Sequence, residues 1–342
     1  MRYLITGHTG FKGAWLSLLL RELGHQVSGI SLDPEEGSLF SIANLSEIFT
    51  RDVRSDIRDM NSLQSYICEI NPEIIIHLAA QPLVRYSYQF PLETFATNVL
   101  GTLNVLEASK SLPDLKATLL ITTDKVYKNY GHLRGYLESD ELGGEDPYSA
   151  SKAAADIAAQ SWITSFGTYP IAIARAGNVI GGGDHARDRL IPDLVKSFAI
   201  NEPAEIRNPS SIRPWQHVLD CLNGYLTLIN AMLDTQISGE WNFGPHQNMQ
   251  HTVQDVVEKF STHFDLKCNS WTLDTRANLA ETNLLLLDSS KSRARLGWRD
   301  ILDFETSLAW TAGWYKSVQD ANVRAITIKQ IKDFLVLKEK LI

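Results

Sequence analysis

A short apolar strand, Arg2–Thr6, runs into a turn with glycines at 7, 10 and 13, and then into Phe11–Leu23, where apolar residues recur at helical spacing until Gly24 stops them. Few folds accommodate that junction. Gly7 permits a tight turn, Gly10 lets backbone approach a pyrophosphate, and Gly13 lets the helix lie close on the strand. The helix amides then face the phosphates. Gly7, His8, Gly10, Phe11 and Lys12 are therefore candidate dinucleotide contacts. A glycine trio alone also suits a plain strand-to-helix turn, so the rest of the chain has to decide.

The rest alternates in the same way. Gln26–Leu32, Ile74–Leu78, Ala117–Thr122 and Ile171–Arg175 read as strands, and Met60–Ile70, Thr94–Ser109 and Ser149–Phe166 as helices. Strands that are apolar throughout belong to a parallel sheet covered on both faces. The expected fold is α/β, a Rossmann-like doubly wound parallel sheet with a smaller C-terminal substrate-binding lobe. Residues 1–180 form the dinucleotide-binding part, with later segments at about 214–245 returning to it. Residues 181–342 form mainly the substrate lobe, because the alternation loosens after Gly181-Gly182-Gly183.

Such sheets bind ligands at the carboxyl ends of their strands. At the end of the second strand Asp33 is the candidate for the adenosine ribose hydroxyls, and Gly29–Pro34 contains no arginine for a 2′-phosphate, which favours NAD over NADP. Asp33 equally reads as a cap before Pro34, with Ser31 in the acid position. Asp56 and Ile57 bracket an adenine or belong to a charged surface loop spanning 52–59. Leu78, Ala79 and Ala80 end the third predicted strand, where small residues let a cofactor lie close.

Tyr148 and Lys152 are one helical turn apart and share a face. An ammonium beside a phenol favours phenolate, the base that takes a hydroxyl proton while hydride leaves the same carbon. Thr123, Asp124 and Lys125 end a buried strand at the same sheet edge. Thr123 is a hydrogen-bond partner for the reacting hydroxyl. Asp124 and Lys125 are an acid/base pair or a solvated turn. Gln81, Arg85 and Ser87 follow the third predicted strand, and Asn178, Arg189, Arg213 and His217 lie in later loops; these are the candidate substrate contacts. Arg213 reads as a phosphate donor or a structural ion-pair partner.

Composition narrows the partners. The 342 residues carry a formal net charge of −8, against a nucleic-acid surface. No run is long enough for a membrane span, and residues 1–6 already read as strand, so no secretory signal is expected. Three scattered cysteines, Cys68, Cys221 and Cys268, and nine histidines without ligand spacing point to no metal and to a reducing cytoplasm.

In order and local detail, GHTGFKG, HLAAQPLVRYSY, ITTDKVY, DPYSASKAA, ARAGNVIGGGD, DRLIPD and IRPWQHV resemble the extended short-chain dehydrogenase/reductase family over nearly the whole chain. Its sugar-nucleotide dehydratases are the nearest likeness. The resemblance implies NAD as a cofactor used and regenerated each turnover, and a homodimer joined through the helices at Thr94–Ser109 and Ser149–Phe166. It implies Thr123, Tyr148 and Lys152 as the oxidation set and Asp124 as the acid for a C6 hydroxyl. Many relatives have Asp-Glu where this chain has Asp124-Lys125, the glutamate being the C5 base. Asp-Lys looks like the branch acting on CDP-glucose, although a lysine serves as a base only when neutral. A dehydratase for dTDP-glucose or GDP-mannose, a 4-epimerase, which needs no acid at 124, and a non-catalytic dinucleotide-binding regulator are the alternatives.

Overall fold

Leu4 and Ile75 face one side of their strands while the adjacent Ile5 and Ile76 face the other, and all four are fully buried. A strand apolar on both faces needs cover on both. The computed structural model, which describes residues 1–246, 250–275, 284–318 and 322–341, shows that cover. Seven parallel strands, β1 (Arg2–Thr6), β2 (Gln26–Ser31), β3 (Arg51–Arg54), β4 (Ile74–His77), β5 (Ala117–Thr122), β6 (Ile171–Arg175) and β7 (Gly239–Asn242), pair in the order β7-β6-β5-β4-β1-β2-β3.

Helices α1 (Phe11–Glu22), α2 (Met60–Ile70), α3 (Gly101–Ser109), α4 (Pro147–Phe166), α5 (Leu190–Ala199) and α6 (Val218–Thr235) carry the rest of the argument. The cluster holding Ile5 and Ile76 takes Leu18 of α1 and Leu222 of α6. The opposite cluster takes Leu63 and Ile67 of α2 and Val105 of α3. Strand order reverses between β1 and β4, and that switch point opens a crevice at the strand ends. A separate apolar cluster joins Leu194 of α5 to Val256, Phe260 and Leu308. Beside it, Trp271–Leu273 pairs with Ala204–Ile206.

Local chemistry shifts some expected boundaries. Helix α4 begins at Pro147, two residues before the expected Ser149, because the Asp146 side chain caps it and proline suits the first turn. The segment 52–59, read as a polar loop, begins inside β3. It is an edge strand pairing only with β2, so its alternate side chains need no apolar cover. The expected helix at Thr94–Ser109 is interrupted by a wide turn over Ala96–Leu100. Within that turn Asn98 donates to the Gln81 carbonyl and to Ser151 Oγ. Wide turns of this kind gather at functional sites. Among the described residues no helix is long and apolar enough to cross a membrane.

Two core histidines make folding pH-dependent. His77 lies between Thr6 Oγ1 at 2.7 Å and Thr102 Oγ1 at 3.0 Å. Because Thr102 spends its proton on the Asn98 carbonyl, His77 donates from Nε2 and accepts at Nδ1. Burial holds His77 and His217 at about 3, against 6.5 for a free imidazole. Below pH 6.5 the unfolded chain binds protons that the folded one refuses. Their contribution is therefore complete above pH 6.5 and lost as pH falls toward 3. Denaturant unfolding between pH 7 and 4 should show this loss, and His77→Gln should lower the linked proton uptake by about one.

Candidate active site

The backbone around the crevice is set by glycines. Gly7 has φ +76°, and a Cβ there would stand 2.6 Å from the Ala79 nitrogen. That space is filled by the Leu78–Ala79 backbone, so only a residue without a side chain at 7 lets the ends of β1 and β4 approach this closely. Gly10 differs. The Gly7 carbonyl oxygen, 3.5 Å from its Cβ position, is its only close neighbour. The protein itself does not require Gly10 to be bare, and an exposed glycine beside the N-terminus of α1 at the switch point fits a closely approaching pyrophosphate.

Beside this turn lies a cavity of about 940 Å³, bounded by the ends of β5 and β6, by α5 and by the loop around Arg213. Phe11, Lys12, Leu78, Ala80, Arg85, Thr123, Asp124, Lys125, Tyr148, Lys152, Asn178, Arg189 and Arg213 all line it. Parallel pairing places the ends of β5 and β6 side by side, Thr122 opposite Arg175. Thr123 follows the first and Gly177 the second.

Asp124 is 1% exposed. Thr123 Oγ1 donates to its Oδ1 at 2.9 Å, while Oδ2 has no hydrogen-bond partner. Burial raises this carboxyl above the ordinary aspartate range, partly offset by Lys125, Thr123 and Arg213. Asp124 lines the cavity, and a buried acid there can deliver a proton. Its seat depends on Gly177, where any Cβ would overlap the Asp124 carboxyl.

Tyr148 and Lys152 also feel burial first. It pushes the phenol up to about 12, against the lowering expected from its lysine neighbour, with Thr123 hydrogen-bonding the phenol as the chief counterweight. Lys152 is brought down to about 7 by burial and by the charge of Lys12. Its Nζ donates to the Ile121 carbonyl at 3.1 Å. Lys12 in turn donates to the Tyr225 hydroxyl at 3.2 Å, and burial holds it below the usual lysine range.

Several candidates from the sequence lie elsewhere. His217 is fully buried, with its ring against Trp15 and Trp310, and its Nδ1 accepts the Leu219 amide to cap α6. It holds a helix and does not meet a substrate. Ser87 is buried as well: it donates to the Val84 carbonyl and accepts the Tyr148 amide, so it fixes the start of α4. Gln81 spends its amide on Thr94 Oγ1 and the Leu83 amide. The His8 ring is buried over Gly29, with Nε2 2.7 Å from Asp52. Asp56 is gripped by Arg58, and Ile57 wedges against Gly101. Asp33 is exposed and lies 3.6 Å from Arg54, so an arginine does stand near Asp33, supplied by the neighbouring strand.

A family model described as GDP-mannose 4,6 dehydratase matches residues 4–311. The chain is 42% identical to CDP-glucose 4,6-dehydratase of Salmonella typhimurium over 98% of its own length and 96% of that protein. Among solved structures it resembles a Stenotrophomonas maltophila UDP-glucose-4-epimerase with bound NAD and formylated UDP-arabinopyranose. The TM-score is 0.83 at 20% identity, covering 93% of this chain and 99% of the other. It also resembles a Bacillus anthracis dTDP-glucose 4,6-dehydratase in complex with NAD, with a TM-score of 0.80 at 23% identity, covering 94% and 98%.

Gly177→Ala tests the seat of Asp124. Moving a reacting group by about 1 Å costs about 10²-fold in rate. Turnover should fall by about that factor while the thermal midpoint changes little, because the neighbour that must move lines a cavity. Unchanged turnover would show that the carboxyl has another place to sit.

Proposed function

The chain belongs to the GDP-mannose 4,6 dehydratase family, and on that premise we propose that it is a hydro-lyase converting CDP-glucose to CDP-4-keto-6-deoxyglucose with NAD. The observation that carries the reading is Asp124. A 4-epimerase needs no acid for a C6 hydroxyl, whereas here a buried carboxyl with one unpartnered oxygen lines the same cavity as Tyr148 and Lys152. The 42% identity to a cytidine-diphosphate sugar enzyme supports the choice of base.

Gly7, Gly10, Phe11, Lys12, Leu78, Ala79 and Ala80 would hold the cofactor, which when bound accepts hydride from sugar C4 and returns it to C6. This chain's residues move the protons. Tyr148 Oη takes the C4 hydroxyl proton, with Thr123 orienting that oxygen. Lys152 favours the phenolate to the extent that it is charged, and so more as pH falls through about 7. Once C4 is a ketone the C5 proton is acidic. Lys125, half-buried at the cavity wall, lies beside the acid and is our candidate to remove it and to return a proton to C5 once hydride has reached C6. Asp124 gives its proton to the departing C6 oxygen, and the raised carboxyl is the form that has one to give. Asn178, Arg189 and Arg213 face the cavity from the later loops and are the candidate diphosphate donors; Arg85 lies at the same wall. In this division the dinucleotide belongs to residues 1–180 with segments near 214–245, and the sugar nucleotide to 181–342.

Incubation with CDP-glucose, dTDP-glucose and GDP-mannose separates the substrates. The 4-keto-6-deoxy product is read by its alkaline chromophore, and CDP-glucose should be preferred. Asp124→Asn should still oxidise C4, so that reduced cofactor accumulates, but should eliminate water at least about 10²-fold more slowly. Tyr148→Phe should lose both steps. Equal loss of oxidation and elimination in Asp124→Asn would remove its assigned role.

The same reading includes a homodimer, a reducing cytoplasm in which all three cysteines stay free, and supply of a deoxysugar precursor for surface polysaccharide. Leu92, Phe95 and Leu100, together with Ile157 and Phe166 of α4, leave large apolar surface exposed. A helix pair of this kind suits an isologous contact. Sedimentation should give a dimer mass, and Leu100→Glu with Ile157→Glu should give a monomer.

A further inference from the structure

The adenosine end holds a cation that the sequence order hid. Parallel register sets Arg54, the last residue of β3, beside Ser31, the last residue of β2. Thr9 Oγ1 donates to the Leu32 carbonyl at 3.2 Å, so in the 2.7 Å contact with Ser31 the serine is the donor. Its remaining lone pairs can accept from a ribose hydroxyl, and it has no proton left for a phosphate. The only guanidinium beside Ser31 in the strand register is Arg54, and it is already engaged. Its Nη1 and Nη2 fork onto the two Asp52 oxygens, the Nη2 contact at 3.0 Å, and Nε lies 3.6 Å from Asp33. Its carbon sits 5.2 Å from the Phe40 ring centroid. Asp52 is itself fixed by Ser46 Oγ at 2.6 Å and by His8.

A guanidinium fork that matches a carboxylate also matches a phosphate. Two carboxylates against one arginine leave this corner net negative, which suits ribose hydroxyls and repels a phosphate. We propose that Arg54 is a latent 2′-phosphate donor, silenced by Asp52, which fastens its fork, and by Asp33, which covers its Nε. The preference for a non-phosphorylated dinucleotide is then set by this three-residue arrangement across β2 and β3, with no single acid deciding it. This rests on the reading of the glycine turn as a dinucleotide cradle.

The test is binding of NADH and NADPH to the purified full-length protein, followed by the fluorescence of the reduced nicotinamide. Wild type should bind NADH in preference. Asp33→Asn with Asp52→Asn should strengthen NADPH binding by at least about tenfold, the size expected for one released charge-assisted fork, while NADH, which loses carboxylate partners for its ribose hydroxyls, binds no more tightly than to wild type. Adding Arg54→Met should return NADPH binding to the wild-type level. Should loss of Asp52 unfold the chain, Asp33→Asn alone carries the test, since that side chain is 90% exposed; its smaller gain should also vanish with Arg54→Met. A gain that survives Arg54→Met would overturn the proposal, because removal of negative charge would then suffice. So would no gain in a variant that binds NADH normally. If wild type binds neither dinucleotide, the cradle reading falls first and this proposal with it.

Discussion

Arg175 and Asp156 form an ion pair with both side chains fully buried, and the site is built around it. The guanidinium forks onto the carboxylate at 2.9 and 2.7 Å, and its Nη1 also donates to the Tyr127 hydroxyl and the Glu138 carbonyl. Thr122 Oγ1 donates to the same carboxylate. Tyr127 passes its proton to Asn242 of β7. A single polar knot thus ties β5, β6, β7 and α4 together. Replacing such a pair by apolar residues is often neutral, but removing one partner leaves a buried charge and costs about 3–5 kcal/mol. Its structural effect is placement. Tyr148, Lys152 and Asp156 follow one another at four-residue spacing, so anchoring Asp156 sets the rotation of α4 and the direction in which the other two face.

The chemistry of the cavity follows from how deeply its titratable side chains are buried. Burial is the leading influence on Tyr148, Lys152 and Asp124, and in each it favours the neutral form. The carboxyl thereby keeps the proton it has to give, whereas the phenol can take one only after losing its own, which the charged form of Lys152 favours. Asp156 pulls the Lys152 ammonium back up and Lys12 pushes it down, so the structural knot also enters the electrostatics of the site.

Much of the architecture was legible because period and composition are local properties. The apolar runs of β4, β5 and β6 announce burial on both faces, and Gly24 marks a helix end by its own backbone chemistry. β3 escaped because an edge strand need not look apolar. The wide turn at Ala96–Leu100 escaped because its cause, Asn98 reaching Gln81 and Ser151, spans distant segments. In the site, Thr123, Asp124, Tyr148 and Lys152 stood out by position at strand and helix ends, and they line one cavity. His8, Gln81, Ser87 and His217 lie in strings just as suggestive, yet they serve the backbone or the core. A polar side chain beside a motif looks the same in sequence whether it turns outward or inward.

Signals for the missed residues were present but could not be paired. An arginine in the apolar run Ile171–Arg175 and an aspartate amid the alanines of α4 each demand a partner, and only folding shows that they are each other's. Gly177, two residues past the end of its strand, gave no hint that it makes room for Asp124. What the sequence alone determined was the order of elements, the glycine turn and which residues are candidates for the chemistry, because those depend on neighbours a few residues apart. What only tertiary structure decided was which charges meet, which side chains lose water and which arginine stands beside Asp33. Those depend on strand register and on burial, which segments far apart along the chain create together.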